Sequence, residues 1–336
     1  MITASLPSRQ RKTWQQQLAE AVTTPAELCA RLQLDPQRAG AADSSFPLRV
    51  PHAFIARMRR GDPADPLLRQ VLPLHEEHAA SPGFESDPLH EAAARRAPGL
   101  LQKYRHRALL LATAACGVHC RYCFRREYPY ADDTGDDGRW SAALDALAAD
   151  ASIEEIILSG GDPLSLANAR LAALSRRLAA IPHLRRFRIH TRQPVVLPDR
   201  VDDGLCAWLC QLPWRPVIVL HCNHANEIDD DVRGACARLR AAGATLLNQS
   251  VLLAGVNDSA RALRDLSAAL DTAGVLPYYL HLLDRVRGTA HFAVPTATAL
   301  ALHRALQAQL PGYLVPRLVR EEPGAPSKSA VLPGDP

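Results

Sequence analysis

Short apolar runs alternate with longer helical segments along the chain from Arg107 onward. Each run is six to nine residues long and is rich in the aliphatic and β-branched residues of buried strands. The predicted strands are 108–115, 153–161, 187–192, 217–223, 245–253 and 276–283. The segments between them have the apolar spacing of helices, and two of them end on the helix-stopping glycines Gly243 and Gly274. This alternation predicts parallel strands joined by helices.

Six strand–helix units predict an α/β fold of a particular kind. A closed TIM barrel has eight such units, so we expect an open, partial (β/α)6 TIM-like barrel over residues 96–312. Residues 1–95 are broken by prolines into short segments and predict an N-terminal helical region, with one helix starting at Thr24 and Pro25. Residues 313–336 predict a C-terminal strand and a loop that carries Lys328.

Polar residues are concentrated where the predicted strands end. These segments are SGGD (159–162), HTRQP (190–194), HCNHANE (221–227), NQS (248–250) and HLLD (281–284). The carboxyl ends of parallel strands meet at one face of a barrel, and loops at that face build the active sites of βα-barrel enzymes. The sequence therefore predicts a functional site at this face.

Composition and charge narrow the class of protein. The 336 residues are 47% hydrophobic and 22% charged, which is typical of a folded globular protein. No apolar run reaches the roughly 18 residues of a membrane span, and the start, MITASLPSRQRKTWQQQ, lacks the apolar stretch of a secretory signal. The net charge of +4 is spread along the chain and forms no basic block. We expect a cytoplasmic protein with neither a membrane nor a nucleic acid as partner.

Three of the eight cysteines form a C-x3-C-x2-C motif directly after the first predicted strand. Cys116, Cys120 and Cys123 can surround one face of an iron–sulfur cube and leave the fourth iron open. A zinc site that uses these cysteines with His119, or three unrelated buried cysteines, would have the same spacing. The remaining cysteines are expected to be small buried hydrophobic residues or helix residues; they are Cys29, Cys206, Cys210, Cys222 and Cys236.

Longer motifs identify a family. In order, and with matching spacing, they are KYRHRALLLATAACGVHCRYCFRREYPY, LSGGDPL, IHTRQPVVLPDR, HCNHANE, NQSVLLAGVND, PYYLHLLD and GTAHF. Together they resemble lysine 2,3-aminomutase of the radical S-adenosylmethionine (radical SAM) enzymes, over the stretch from about Phe46 to Lys328. The segment VPHAFIARMRRGDPADPLLRQVLP, and the presence of only eight residues after Lys328, resemble the bacterial branch that makes beta-lysine for elongation factor P.

The resemblance implies a fold of the radical SAM type, a reaction and its cofactors. L-lysine would be converted to beta-lysine by a 5′-deoxyadenosyl radical, with a [4Fe–4S] cluster on the three cysteines, SAM on the open iron and pyridoxal 5′-phosphate (PLP) on Lys328. SAM contacts are implied for Ser159, Gly160, Gly161, Asp162, His221 and Gln249. Without the resemblance, a glycine-rich turn or a lone lysine in a Pro/Gly tail would be weak evidence. In this chain the loop is PGAPSK, where the free-lysine enzymes are glycine-rich.

The resemblance also implies residues for the PLP phosphate and for lysine. Tyr104, Arg105 and Arg107 are candidates for the phosphate, and Arg107 matches best. Arg125 is implied for the lysine carboxylate, and two acids are implied for the side-chain ammonium group: Asp284, and Glu321 where the free-lysine enzymes carry Asp.

Partners and alternatives follow from the same resemblance. A flavodoxin or ferredoxin is expected as electron donor, and elongation factor P with its lysyl ligase as the functional destination of the product. A homo-oligomer is compatible with it. The alternatives are an aminomutase for another amino acid, a zinc-stabilised binding module and a radical SAM enzyme that modifies nucleic acid.

Overall fold

The computed structural model describes residues 12–40, 46–133 and 137–334, without the side chains of 137–139. The first eleven residues, on which much of the prediction about a secretory signal rests, lie outside the described residues. No helix in the described ranges has both the length and the apolar character needed to cross a membrane.

The described residues form one ten-stranded sheet in which the strands follow one another in chain order. The strands are β1 (Arg95–Ala97), β2 (Leu100–Tyr104), β3 (Arg107–Thr113), β4 (Glu155–Gly160), β5 (Arg186–Thr191), β6 (Val217–His221), β7 (Thr245–Val251), β8 (Leu276–His281), β9 (Arg317–Arg320) and β10 (Ser329–Ala330). Neighbours from β3 to β9 pair in parallel, whereas β1, β2 and β10 pair antiparallel. The two end strands each pair with a single neighbour, so the sheet is open.

The first helices lie before β1, and the later helices lie between successive strands. They are α1 (Trp14–Ala19), α2 (Pro25–Leu32), α3 (His52–Ile55), α4 (Tyr130–Asp133), α5 (Asp137–Ala149), α6 (Asn168–Ala179), α7 (Gln193–Val196), α8 (Asp203–Cys210), α9 (Asp230–Ala241), α10 (Ala260–Thr272) and α11 (Thr296–Gln309). Local sequence explains where several of them begin. The side chains of Thr24, Asp229 and Ser259 each accept a hydrogen bond from a backbone N–H in the first turn of α2, α9 and α10.

The predicted partial barrel is confirmed, with two additions at its edges. Strands β3 to β8 coincide with the six predicted strands, and the predicted C-terminal strand, β9, is a seventh parallel strand beside β8. The hairpin β1–β2 was not predicted, because its residues, RRA and LLQKY, are short and mostly polar. It extends the sheet into the end of the segment that we expected to be helical.

Side chains along the strands point alternately to a face that packs in the core and to a face that lines a cavity. On one face, Leu110, Ile156, Phe187, Ile218 and Leu246 pack with the helices in a large buried cluster. The opposite face points into the barrel, and its residues line a cavity. Period-two alternation therefore places the polar members of these strands inside the barrel.

The N-terminal region packs over the loop that carries the cysteine motif. Its buried residues, among them Phe54 and Leu67, form a second core with Val118 of that loop and with α7. Two backbone N–H groups of the loop bond to it, His119 to the Arg49 carbonyl at 3.0 Å and Arg121 to the Gln70 carbonyl at 2.8 Å. The N-terminal residues thus fix the path of the cysteine loop. The boundaries at residues 95 and 312 remain predictions.

Candidate active site

One cavity of about 290 Å³ opens at the carboxyl ends of the parallel strands. Every residue predicted for the cofactors or the substrate lines it, except Arg105, which is exposed on the turn between β2 and β3. The lining residues from that set are Tyr104, Arg107, Cys116, Cys120, Cys123, Arg125, Ser159, Gly160, Gly161, Asp162, His221, Gln249, Asp284, Glu321 and Lys328. The fold therefore brings together residues that are up to 224 positions apart in the chain.

The cysteine loop follows β3 and places three thiols on one wall of the cavity. Burial, with the neighbouring thiols, raises the pKa of Cys116 well above its usual value and that of Cys123 to about 11. Three close thiolates therefore require a positive centre, which an iron–sulfur cube supplies through separate irons. The ring of His119 stacks on Phe46, and its Nδ1 donates to the Pro47 carbonyl at 2.7 Å.

Two glycines at the end of β4 allow the chain before Cys116 to pass close by. Gly160 has a φ of +118°, and a Cβ there would lie 2.4 Å from the Thr113 carbonyl oxygen. A Cβ on Gly161 would lie 2.5 Å from the carbonyl oxygens of Ala114 and Ala115. We expected these glycines to admit a ligand. In the structure their first effect is to admit the backbone that leads into the cysteine loop.

Asp162 organises the start of α7. Its carboxylate accepts hydrogen bonds from the Thr191 hydroxyl at 2.6 Å and from the backbone N–H groups of Leu164, Arg192 and Gln193 at 2.7–3.0 Å. Burial nevertheless raises the pKa of this carboxyl above its usual value. Four donors within the protein thus already occupy the two oxygens, and a contact to SAM remains a prediction.

His221 and Gln249 are directly opposite each other on β6 and β7. The His221 ring stacks on Tyr122, with 5.6 Å between the ring centroids, and its Nε2 lies 2.9 Å from the Tyr122 hydroxyl. Burial and the nearby Arg192 cation lower the pKa of His221 to about 3. His221 is therefore a neutral imidazole that can hydrogen-bond a ligand without adding charge.

Lys328 and the acids predicted for the substrate also line the cavity. The Lys328 ammonium pairs with Glu321, whose other oxygen pairs with Lys103 at 3.0 Å. Burial opposes ionisation of Glu321, but the two ammonium groups outweigh it and hold its pKa well below the usual value. Asp284 is half-buried in the cavity wall, and desolvation together with the charge of Glu321 raises its pKa to about 7.

Arg125 has a buried partner that sequence reasoning missed. Its Nε and Nη2 donate to the two carboxylate oxygens of Glu91 at 2.7 and 2.8 Å, and its Nη1 donates to the Ser159 hydroxyl at 3.1 Å. Glu91 also pairs with Lys103 at 3.0 Å. A guanidinium carries five N–H donors, so the end of Arg125 formed by Nη1 and Nη2 still has hydrogens for a substrate carboxylate.

These pairs join into one alternating series of charges, which we term the cavity charge series: Arg125, Glu91, Lys103, Glu321 and Lys328. It runs from the cation implied for a carboxylate to the lysine implied for PLP. Glu91 belongs to no motif that the sequence singled out, and Lys103 begins the first long motif but was assigned no role from the sequence.

The part of the cavity predicted for PLP contains aromatic and cationic groups. The Arg107 guanidinium lies 4.4 Å from the centroid of the Tyr104 ring, and both residues line the cavity. His190, on β5, also lines it, and its Nε2 is a buried atom with no hydrogen-bond partner among the described residues. A cation beside an aromatic face, a primary amine and a buried orphan nitrogen fit a phosphorylated heteroaromatic group.

Several known proteins are similar to this chain. No protein-family model matches the chain. Two bacterial proteins, each named "L-lysine 2,3-aminomutase", are similar over nearly their whole length. The Escherichia coli protein is 49% identical over 333 residues, covering 98% of this chain and 96% of that protein, and the Haemophilus influenzae protein is 46% identical over 324 residues, covering 96% of each.

More distant similarity extends to a protein of the same name from Clostridium subterminale. It is 34% identical over 325 residues, covering 95% of this chain and 78% of that protein. Among solved structures, a radical SAM methyltransferase from Sphaerobacter thermophilus matches with a TM-score of 0.46 and 16% identity, over 66% of this chain and 68% of its own. On its identity to full-length relatives, this chain belongs to the L-lysine 2,3-aminomutase family.

Proposed function

We propose that the protein converts L-lysine to beta-lysine, using a [4Fe–4S] cluster, SAM and PLP. The observation that carries the proposal is the single cavity that holds Cys116, Cys120 and Cys123 on one wall and Arg125, Asp284, Glu321 and Lys328 on the others. Family membership supports the same reaction. When bound, the cluster and SAM would supply a carbon radical that removes a hydrogen atom, and PLP would supply a conjugated ring that delocalises the unpaired electron while the amino group moves between adjacent carbons of the substrate.

The lining residues fit a substrate with one carboxylate and a distant ammonium group. Arg125 keeps free donors at one end of its guanidinium, and the carboxyl groups of Asp284 and Glu321 also line the cavity. When Lys328 is a neutral amine, these two acids favour a cationic side chain over an acidic one. These residues bind and orient lysine, which suits a reaction in which the reactive centre is supplied by cofactors.

Lys328 must be a neutral amine to attack an aldehyde, and its amine must also be held in position. Glu321 holds its ammonium group in place. Asp284, with a pKa of about 7, responds to the charges of both residues and can hold a proton near neutral pH. We assign two roles to Glu321 and Asp284. They position the Lys328 amine, and they position the side-chain ammonium group of the substrate when that group takes the place of the Lys328 amine.

Anaerobic reconstitution tests the reaction. The chain is loaded with iron, sulfide and PLP, incubated with lysine, SAM and dithionite, and its products are derivatised and analysed by mass spectrometry. Beta-lysine is expected only when SAM is present. K328A is expected to lose turnover and to keep the iron–sulfur absorbance. Formation of 5′-deoxyadenosine without beta-lysine would contradict the lysine assignment, as would normal turnover by K328A.

We further propose that the product serves elongation factor P through its lysyl ligase, with flavodoxin or ferredoxin as electron donor in the cytoplasm. The resemblance of residues 50–73 to the branch that makes beta-lysine for elongation factor P supports this proposal. All eight cysteines are free, which suits a reducing compartment. A homo-oligomer stays a prediction.

Deleting this gene tests that destination. Elongation factor P from the deleted strain is expected to lack the mass of a beta-lysyl group, and beta-lysine in the medium is expected to restore it. An unchanged mass spectrum would contradict the destination and leave the aminomutase reaction in place.

A further inference from the structure

Arg192 is a buried cation whose guanidinium contacts a sulfur of the cysteine motif. It follows β5 directly and is only 6% exposed. Its Nη1 donates to Cys120 Sγ and to the Tyr122 hydroxyl, each at 2.7 Å. No motif or role predicted from the sequence assigns this residue to the cluster.

The rest of the network fixes this guanidinium in place. Nη2 donates to Gln70 Oε1 at 2.7 Å and to Glu227 Oε2 at 2.9 Å. Glu227 is itself held by the backbone N–H groups of Asn223 and His224 at 2.9 and 3.0 Å. Because the backbone of Arg192 is also bonded to Asp162, neither end of the side chain can move away from Cys120 without breaking buried hydrogen bonds.

The two charges of this ion pair are not equally close to the cysteine sulfur. The positive end, Arg192, contacts the sulfur, and the negative end, Glu227, lies behind it and is fully buried. A reduced cluster carries one more negative charge than an oxidised cluster. Donors and positive charge at the ligand sulfurs therefore stabilise the reduced form, and the reduction potential depends on these contacts.

We propose that Arg192 and Glu227 together set the reduction potential of the cluster: Arg192 raises it through Cys120, and Glu227 limits the rise. The inference rests on the proposed function, in which the three cysteines hold a [4Fe–4S] cluster. Both are positioning residues, since neither contacts the lysine-binding end of the cavity. A cluster tuned in this way accepts an electron from its donor and passes it to SAM.

The test is the midpoint potential of the reconstituted cluster, measured anaerobically from the EPR signal of its reduced form. E227Q removes the counter-charge and is expected to shift the potential to more positive values. R192M combined with E227Q removes the whole pair without leaving an unpaired buried charge, and is expected to shift it to more negative values than wild type. We expect each shift to be about tenfold in the one-electron equilibrium constant, which is about 59 mV.

Opposite signs of the two potential shifts distinguish an effect of charge from a general loosening of the cluster pocket. A loosened cluster pocket admits water in both variants and shifts both potentials in the same direction. R200M is the matched control, because Arg200 is fully buried but donates to the Leu164 and Leu166 carbonyls and not to a cysteine sulfur. The cluster in R200M is expected to have the wild-type reduction potential. If the double variant fails to bind iron, R192K replaces it, with a smaller negative shift expected.

The possible results are distinct. Unchanged potentials in E227Q and the Arg192 variants, or shifts of the same sign, would overturn the inference while the wild-type signal upholds the proposed function. The absence of any reduced-cluster signal in iron-loaded wild type would instead refute the cluster assignment, and the inference with it.

Discussion

The pairing of Arg125 with Glu91 illustrates how a buried residue outside any motif determines what a predicted site residue can do. Glu91 is 1% exposed, and it uses one side of the guanidinium and leaves the other side available. It also holds Lys103, the middle member of the cavity charge series. A hydrogen bond between charged groups contributes about 1.5–3 kcal/mol, so the loss of this carboxylate should be measurable in substrate recognition.

E91Q is therefore expected to lower kcat/KM for lysine by about 10- to 100-fold, mainly through KM, because Arg125 loses its bidentate partner. Steady-state kinetics with the reconstituted enzyme measures this. E154Q is the control, since Glu154 forms an exposed pair with Arg186 that contributes little. Equal kcat/KM in E91Q and E154Q would contradict the assignment.

Asp284 is expected to make lysine binding depend on pH. With a pKa of about 7, its carboxyl group is mostly protonated below that pH and mostly charged above it. Because the charged form attracts an ammonium group, KM for lysine is expected to fall as pH rises from about 6 to about 8. D284N should remove most of this dependence. A KM that is flat in wild type, or equally steep in D284N, would show that another group is responsible.

At the scale of single elements, the sequence predicted the strands and the helix start that hydrophobic periodicity and capping residues specify. The six parallel strands follow from their apolar runs, and α2 begins at Thr24 and Pro25 as expected. The short strands β1 and β2 are polar and have no pattern of their own, so only pairing with β3 reveals them. The site residues were found through their motifs, but the pairing of Arg125 with Glu91 and of Arg192 with Glu227 depends on contacts between distant segments.

Gly160 and Gly234 allow a matched test of backbone geometry. G160A forces a side chain into a backbone with φ of +118° and against the Thr113 carbonyl, so it should destabilise the fold by more than about 1 kcal/mol and reduce iron loading. Gly234 is inside α9, and a Cβ there would have nothing within 4 Å, so G234A should stabilise by about 0.5–1 kcal/mol. Chemical denaturation and iron content measure both effects. A G160A protein as stable as wild type would contradict the close approach.

On the scale of the whole molecule, the N-terminal region acts as a cover for the cysteine loop. Glu77, from that region, accepts from Arg121 Nε at 2.9 Å and from Arg126 Nη2 at 2.8 Å, and both arginines belong to the loop. The second core adds apolar contact between the same two parts of the chain. Sequence reasoning could not place this cover, because neither periodicity nor a motif specifies how the region packs against the barrel.

E77Q tests the cover. Removing one partner of a buried ion pair costs about 3–5 kcal/mol, so the variant is expected to unfold at a lower denaturant concentration and to lose its cluster faster in air. E20Q is the control, because Glu20 pairs with Lys12 on the exposed surface. Cluster loss at the wild-type rate in E77Q would mean that the ion pair is not what holds the cover on the loop.

The central claim is that one cavity joins a radical source to a lysine-binding site and moves an amino group between adjacent carbons. Reconstituted enzyme incubated with L-lysine carrying ¹⁵N on its α-amino group, SAM and dithionite tests it most directly, with the product analysed by NMR. The account predicts beta-lysine with ¹⁵N bonded to C3 and unlabelled nitrogen on C6. Label that stays on C2 of all recovered lysine, or appears as free ammonium, would contradict it.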